Sequence, residues 1–406
     1  MPAYIGVNGK AKQIYKVYKG DENWIAHLIW APPGVYKPAS DFSYPRLSYT
    51  RALMYGNGQG SASTKHHCHF FANESSDVTN TYRYYAEVDT YDEDLVLTKP
   101  RTPFYLDNKW LDDFNCDSGA GTVYDDDGNS FAIFAYGNCK VTDDALMIND
   151  DCTAMSLNAE EGYTGLFGSY YDGTSSTCFA SGVTTHNFIV AGGYLKNAGN
   201  LFSNHVYVVS YDGTPIADPC TLSTSRAECT GVSINGSFIV VGGVSEATSA
   251  PPIEIITDEL TISTGSGYTN RRDMCSTTIP NRFAILGCGA DSDNDLSTII
   301  IDKSFTVSTG PTLSHLRRQA TALNVGDYAV FAGGRSLRDT PYGLDTVDII
   351  DANLTRTNPE NMLSQIVFGA IPGKVGKWGI LYGGITHDGS NYTWNYNYPE
   401  VFYSFE

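Results

Sequence analysis

Apolar residues along this chain come in short bursts that stop at glycine. "HNFIVAGG" ends at Gly193, "GSFIVVGG" at Gly243, "NRFAILGCG" at Gly289, "GDYAVFAGG" at Gly334 and "GKWGILYGG" at Gly384, with spacings of 50, 46, 45 and 50 residues. Each burst is too short for a helix and rich in β-branched and aromatic residues, so it predicts a buried strand ending in a tight turn. After each glycine comes a polar stretch of variable length and then a further apolar strand, such as "HVYVVSYDG", "IEIITDEL" or "STIIIDKSF". An alternating segment precedes each burst, and short stretches such as "TISTGS" or "TVSTGP" supply a fourth strand.

Four strands per repeat at a period near fifty residues predict an all-β fold, a ring of four-stranded blades forming a β-propeller. Two less regular copies precede the five, around "HHCHFFANE" and "GAGTVYDDDGNSFAIFAYGN", which gives seven blades, or six if the first is not a blade. The last copy reaches Glu406 in its third strand, and "LSYTRALMYG", residues 47–56, is the segment expected to complete that sheet. Residues 1–45 stand apart from the ring. "YIGVNGKAKQI" and "YKGDENWIAHLI" align at an offset of 14 as a small β-hairpin repeat, and "APPGVYKP" reads as a linker. The expected division is therefore a module at 1–45 and a propeller at 46–406.

Composition narrows the function classes. A net charge of −19 leaves no surplus of Lys and Arg for nucleic acid or an anionic membrane. No apolar run approaches the roughly 20 residues needed to cross a bilayer, and the start of the chain has no signal core. The nine cysteines follow no metal-binding spacing. Cys178, Cys229 and Cys275 fall at matching places in successive blades and read as small buried residues, as does Cys288.

The apolar-strand, Gly-Gly, variable-loop pattern over roughly residues 60–406 resembles kelch-repeat propellers, without the Trp that family carries in its fourth strand. The head "PAYIGVNGKAKQIYKVYKG" looks like short repeats at the start of tail-associated proteins of phages and prophages of Gram-positive bacteria. The two resemblances together imply a virion or prophage tail accessory protein, located in the virion or in the bacterial cytoplasm when expressed from a prophage. Residues 1–45 would then contact other tail proteins, and the propeller would bind a glycan or protein on a bacterial surface.

Candidate chemistry is sparse, and the expectation is a noncatalytic protein without a cofactor. "YYDGTSST" lacks the Trp of a sialidase box. Arg226, Arg272 and Arg318 recur at one interval, with Arg271 and Arg317 beside two of them. They are expected either to ring one mouth of the channel as an anion site or to tie neighbouring blades through backbone carbonyls. Arg335, in the loop after Gly333-Gly334, joins this set. The loop "ITHDGSNYTWNYNYP" offers Tyr392, Trp394 and Tyr396 as flat faces for sugar rings, or as rings packed under the blade. Asp291, Asp293 and Asp295 alternate in "DSDND" as a Ca²⁺ loop would, a solvated acidic loop being the competing reading. His67 and His69 alternate on one strand face, either for a metal or as satisfied histidines.

Overall fold

The computed structural model describes residues 3–7, 10–14, 17–20, 26–30, 34–37, 60–76, 83–98, 118–136, 145–157, 176–177, 179–195, 201–216, 219–247, 250–289, 296–336, 343–357, 363–387, 392–394 and 399–405. Among these there is no helix, and seven four-stranded antiparallel sheets form the blades of a propeller. Their innermost strands are Ser61–Ser63, Ser118–Tyr124, Ala180–Val183, Thr230–Ile234, Cys275–Ile279, Thr321–Val325 and Ile371–Val375. We number the blades 1 to 7 in that order.

The second strand of each blade explains the apolar bursts. Asn187–Ala191, Ser237–Val241 and Phe283–Gly287 are buried at every position, because both faces of each sheet lie against neighbouring blades. Outer strands such as Val307–Thr312 are largely open to solvent and read as polar. The core is accordingly a series of layers between blades. One layer joins Val123, Ile133 and Met147 of blade 2 to Phe188, Val190 and Val209 of blade 3.

Two kinds of glycine make this packing possible. Gly242 and Gly243 turn the chain at φ 66° and 95°, a region that costs other residues energy. Gly182 and Gly231, on inner strands of consecutive blades, leave room for the ring of Phe238. A Cβ at either position would lie 2.6 or 2.5 Å from that ring.

Hydroxyls stitch the inner strands together. Ser276 Oγ donates to Gly231 O (2.6 Å), Thr278 Oγ1 to Ser233 O (2.8 Å) and Thr321 Oγ1 to Ala370 O (2.7 Å). The same device closes the ring between blades 7 and 1, where Ser63 Oγ donates to Lys374 O at 2.5 Å. Phe70 stacks on Tyr382 there with ring centroids 4.6 Å apart, and the Tyr382 hydroxyl donates to the buried Asp89 carboxylate.

The strand that completes blade 7 is Gly34–Tyr36, paired antiparallel with Glu400–Phe405 through Tyr36↔Tyr403, Val35↔Ser404 and Gly34↔Phe405. It lies inside the stretch read above as a linker, while residues 47–56 fall outside the described residues. A three-residue strand flanked by prolines carries too little apolar pattern to be read as one. Lys37, next in the chain, pairs with the Glu400 carboxylate and anchors the junction. Upstream, Ala3–Val7 pairs with Lys10–Ile14 and Val17–Gly20 with Ala26–Trp30, two successive hairpins as the offset repeat predicts.

Blade 1 departs from the others. Its middle strands, His67–Ser76 and Arg83–Asp92, run ten residues each in continuous register, twice the length of the second strand of blade 3. No glycine doublet interrupts them, which is why the sequence pattern fades there.

Candidate functional site

The repeated arginines separate into two sets. Arg226 is fully buried, and its guanidinium meets the Glu254 carboxylate and donates to Pro252 O at 2.7 Å. Its counterparts are Arg271, whose Nη1 donates to Ser297 O at 2.6 Å, and Arg317, which donates to Gly333 O (2.9 Å), Thr346 O (3.0 Å) and the Asp348 carboxylate (2.5 Å). The backbone carbonyls of the three accept the N–H of Gly193, Gly243 and Gly289 in the preceding blades. Each arginine thus binds the glycine turn of one blade to the third strand of the next.

This corrects the expected register. A constant interval aligned Arg226 with Arg272 and Arg318, whereas the glycine-to-carbonyl hydrogen bonds align it with Arg271 and Arg317. Arg226 is an interior stitch and not a mouth residue. The same one-residue offset makes Met274, not Cys275, the counterpart of Cys229: each directly precedes its inner strand. Cys229 and Cys288 are buried, Cys275 is half-buried, and Cys178 lies outside the described residues. Burial pushes Cys68 up to about 12 and Cys229 up to about 11.

Two residues before four of the inner strands stand Glu228, Asp273, Gln319 and Gly369, with φ of 55°, 53°, 53° and 64°. Inner strands line the channel, so these residues surround its mouth in consecutive blades. Asp273 N donates to Glu228 O (3.3 Å) and Gly369 N to Gln319 O (2.8 Å), linking the rim. The left-handed backbone at three non-glycine positions costs energy and marks a rim built against local preference.

The rim is charged and balanced. Arg272, 47 % exposed, pairs with Glu228 at 3.1 Å, and the Tyr194 hydroxyl donates to the other Glu228 oxygen at 3.3 Å. Asp273 is raised to about 6, by burial first and then by the neighbouring Glu228 charge, against the opposing pull of Arg272 and Arg318. Arg318 has its Nε buried without a hydrogen-bond partner among the described residues. Its backbone pairs with Arg335 across the short ribbon Arg317–Arg318 and Arg335–Ser336, so Arg335 borders the same mouth. The two carboxylates of Glu228 and Asp273 and the two guanidinium groups of Arg272 and Arg318 interact here.

Other sequence candidates lie elsewhere. Tyr392 and Trp394 belong to a strand, Tyr392–Trp394, that pairs with Ile385–His387 beyond the last glycine doublet. Tyr396, Asp291, Asp293 and Asp295 lie outside the described residues. His69 is enclosed, with Nδ1 2.8 Å from Thr90 Oγ1 and Nε2 3.3 Å from Thr64 Oγ1. Burial, then the His67 charge, lowers it to about 3, so it is a neutral core histidine satisfied by hydroxyls. Among the described residues no group of three or more His, Cys, Asp or Glu side chains is arranged to hold a metal ion.

Sequence reading missed Glu228, Asp273 and Gln319. Their signal is present in "RAEC", "RRDM" and "RRQA", three segments in which a polar residue stands two places after the stitching arginine. Only the correct register makes it visible.

No protein-family model and no curated protein matches the chain. Among solved structures it is similar to one titled "Structure of YjhT", at 14 % identity over 68 % of this chain and 92 % of that one, with a TM-score of 0.46.

Proposed function

We propose that this propeller is a noncatalytic recognition module, a kelch-like adhesin associated with a phage or prophage tail. It binds a glycan or protein on a bacterial surface through the face that carries the glycine turns, while residues 1–45 engage other tail proteins. The observation that carries this reading is the polar rim of Glu228, Arg272, Asp273, Arg318 and Gln319, partly open to solvent and held at the entries to the inner strands. In sequence, segments of variable length and composition follow the glycine turns, the arrangement by which a fixed scaffold presents changeable contacts. Several copies on one particle convert weak contacts into avidity.

The test is binding of labelled, purified protein to a panel of intact Gram-positive bacteria and their extracted wall polysaccharides. Saturable binding to a few strains, competed by their own polysaccharide, is expected. Absence of binding by folded protein moves the assignment to a structural or decoration role in the virion. The neighbouring carboxylates Glu228 and Asp273 favour one competing reading, glycan cleavage. New reducing ends in polysaccharide incubated with the protein, lost in Asp273→Asn, would establish it.

A further inference from the structure

The arginine pattern by itself points to an anion site, but the partners of those arginines argue otherwise. Arg226 and Arg317 are spent on Glu254 and Asp348 inside the blades. Arg272 is matched by Glu228. Arg318 sits within the field of Asp273, so the rim holds acids and bases in near balance. A polyanion approaching it would meet two carboxylates on a chain of net charge −19.

Three rim groups stand close to one another in blades 5 and 6. The Arg318 Nε has no hydrogen-bond partner among the described residues, the Asp273 carboxyl lies within the field of Arg318, and Gln319 holds the matching rim position of the next blade. Together they offer acceptors and donors side by side on consecutive blades, the complement of adjacent hydroxyl groups, each of which gives one hydrogen bond and takes another. Asp273 is kept in spite of its burial, its left-handed backbone and the nearby Glu228 charge. A costly polar group retained in this way is characteristic of a binding site.

We propose that Asp273, Arg318 and Gln319 form a subsite for an uncharged saccharide, with one ring hydroxyl donating to Asp273 and its neighbour accepting from the Gln319 carboxamide or from the terminal guanidinium nitrogens of Arg318. This rests on the recognition reading above and names the ligand class for its central site.

The experiment uses the full chain on an array carrying neutral hexose, deoxyhexose and N-acetylhexosamine oligosaccharides beside uronate-bearing and phosphate-bearing ones. Asp273→Gly and Gln319→Gly are the variants, since Gly369 occupies the same rim position in blade 7 with the same backbone sign. Neutral glycans are expected to bind, and each variant to weaken them at least tenfold with thermal unfolding not lowered. Binding confined to the anionic glycans, or neutral binding that survives both substitutions, overturns the subsite. A second measurement separates the two levels. Cell binding that persists unchanged in Asp273→Gly removes the subsite and leaves the adhesin, whereas wild-type protein that binds neither cells nor array removes both.

Discussion

Arg317 and Asp348 form an ion pair at 2.5 Å with both side chains wholly buried, Arg317 entering blade 6 from its inner edge and Asp348 standing on the third strand of that blade. Asp348 also accepts from Arg356 Nη1 at 3.0 Å and from Ser314 Oγ at 2.8 Å, so its charge is fully engaged. A pair so enclosed contributes less through its own attraction than it would cost to break, because removing one partner strands the other in a low-dielectric interior. Arg317→Met should lower stability by about 3–5 kcal/mol, and Asp348→Leu by a similar amount. The double variant should recover part of the loss. Urea unfolding of all three checks this; additive losses would mean that the two charges do not act as a unit.

Asp273 predicts a gain in stability. Its carboxyl is raised from 3.8 to about 6, so the folded protein disfavours the ionised form. The associated stability is present below about pH 4 and is lost as pH rises through 6. Asp273→Asn removes the charge and suits the left-handed backbone, so at pH 7 it should stabilise by up to about 3 kcal/mol, taking 1.36 kcal/mol per unit. At pH 3.5 the two proteins should unfold alike. A gain of equal size at both pH values would assign the effect to the backbone instead.

His186 and Asp258 give a pH dependence of the opposite kind. The turn of blade 3 presents the His186 ring 2.5 Å from the Asp258 carboxylate of blade 4, which also accepts from Thr184 Oγ1 at 2.6 Å and His186 N at 2.9 Å. The hydrogen bond to Asp258 raises His186, despite some burial. Asp258 is itself lowered, its hydrogen bonds from Thr184 and His186 outweighing its burial. The histidine contribution is present below about pH 6.5 and fades as pH climbs through the raised value, while that of Asp258 is present above 3.8 and fades below it. His186→Gln should therefore destabilise most between about pH 4 and 6.5 and least once pH has climbed past the raised histidine value. Thermal unfolding across that range measures it, and a pH-independent difference would exclude the ionic latch.

The closing strand gives a fourth expectation. Val35 pairs with Ser404 and packs against the cluster that holds Leu381 and Phe402. Val35→Pro restricts the backbone and removes an N–H at this edge, and should lower the melting temperature by several degrees. An equivalent proline at Lys12, in the first hairpin, should leave propeller unfolding in place. Equal effects from both would show that the two segments unfold together.

The comparison of arginines shows where sequence reading reaches its limit. The glycine doublets mark blade after blade because a turn with positive φ admits few residues, and the doubly buried second strands admit few that are polar. The arginine register was not legible, since connecting segments differ by one residue and a constant interval carries that error forward. The bonds from Gly243 N to Arg271 O and from Gly289 N to Arg317 O resolve it, and only the folded ring forms them. Gly34–Tyr36 was hidden for a similar reason: three residues contain no period, and their partner is Glu400–Phe405 at the far end of the chain.

The sequence alone determined the class of fold and its repeat, because burial on both faces and sharp turns act on residues close together in the chain. Tertiary structure decided which arginines are interior, which strand closes the ring and which side chains meet at the mouth. Glu228, Asp273 and Gln319 lie about forty-five residues apart in sequence and come together only because each blade packs on the last.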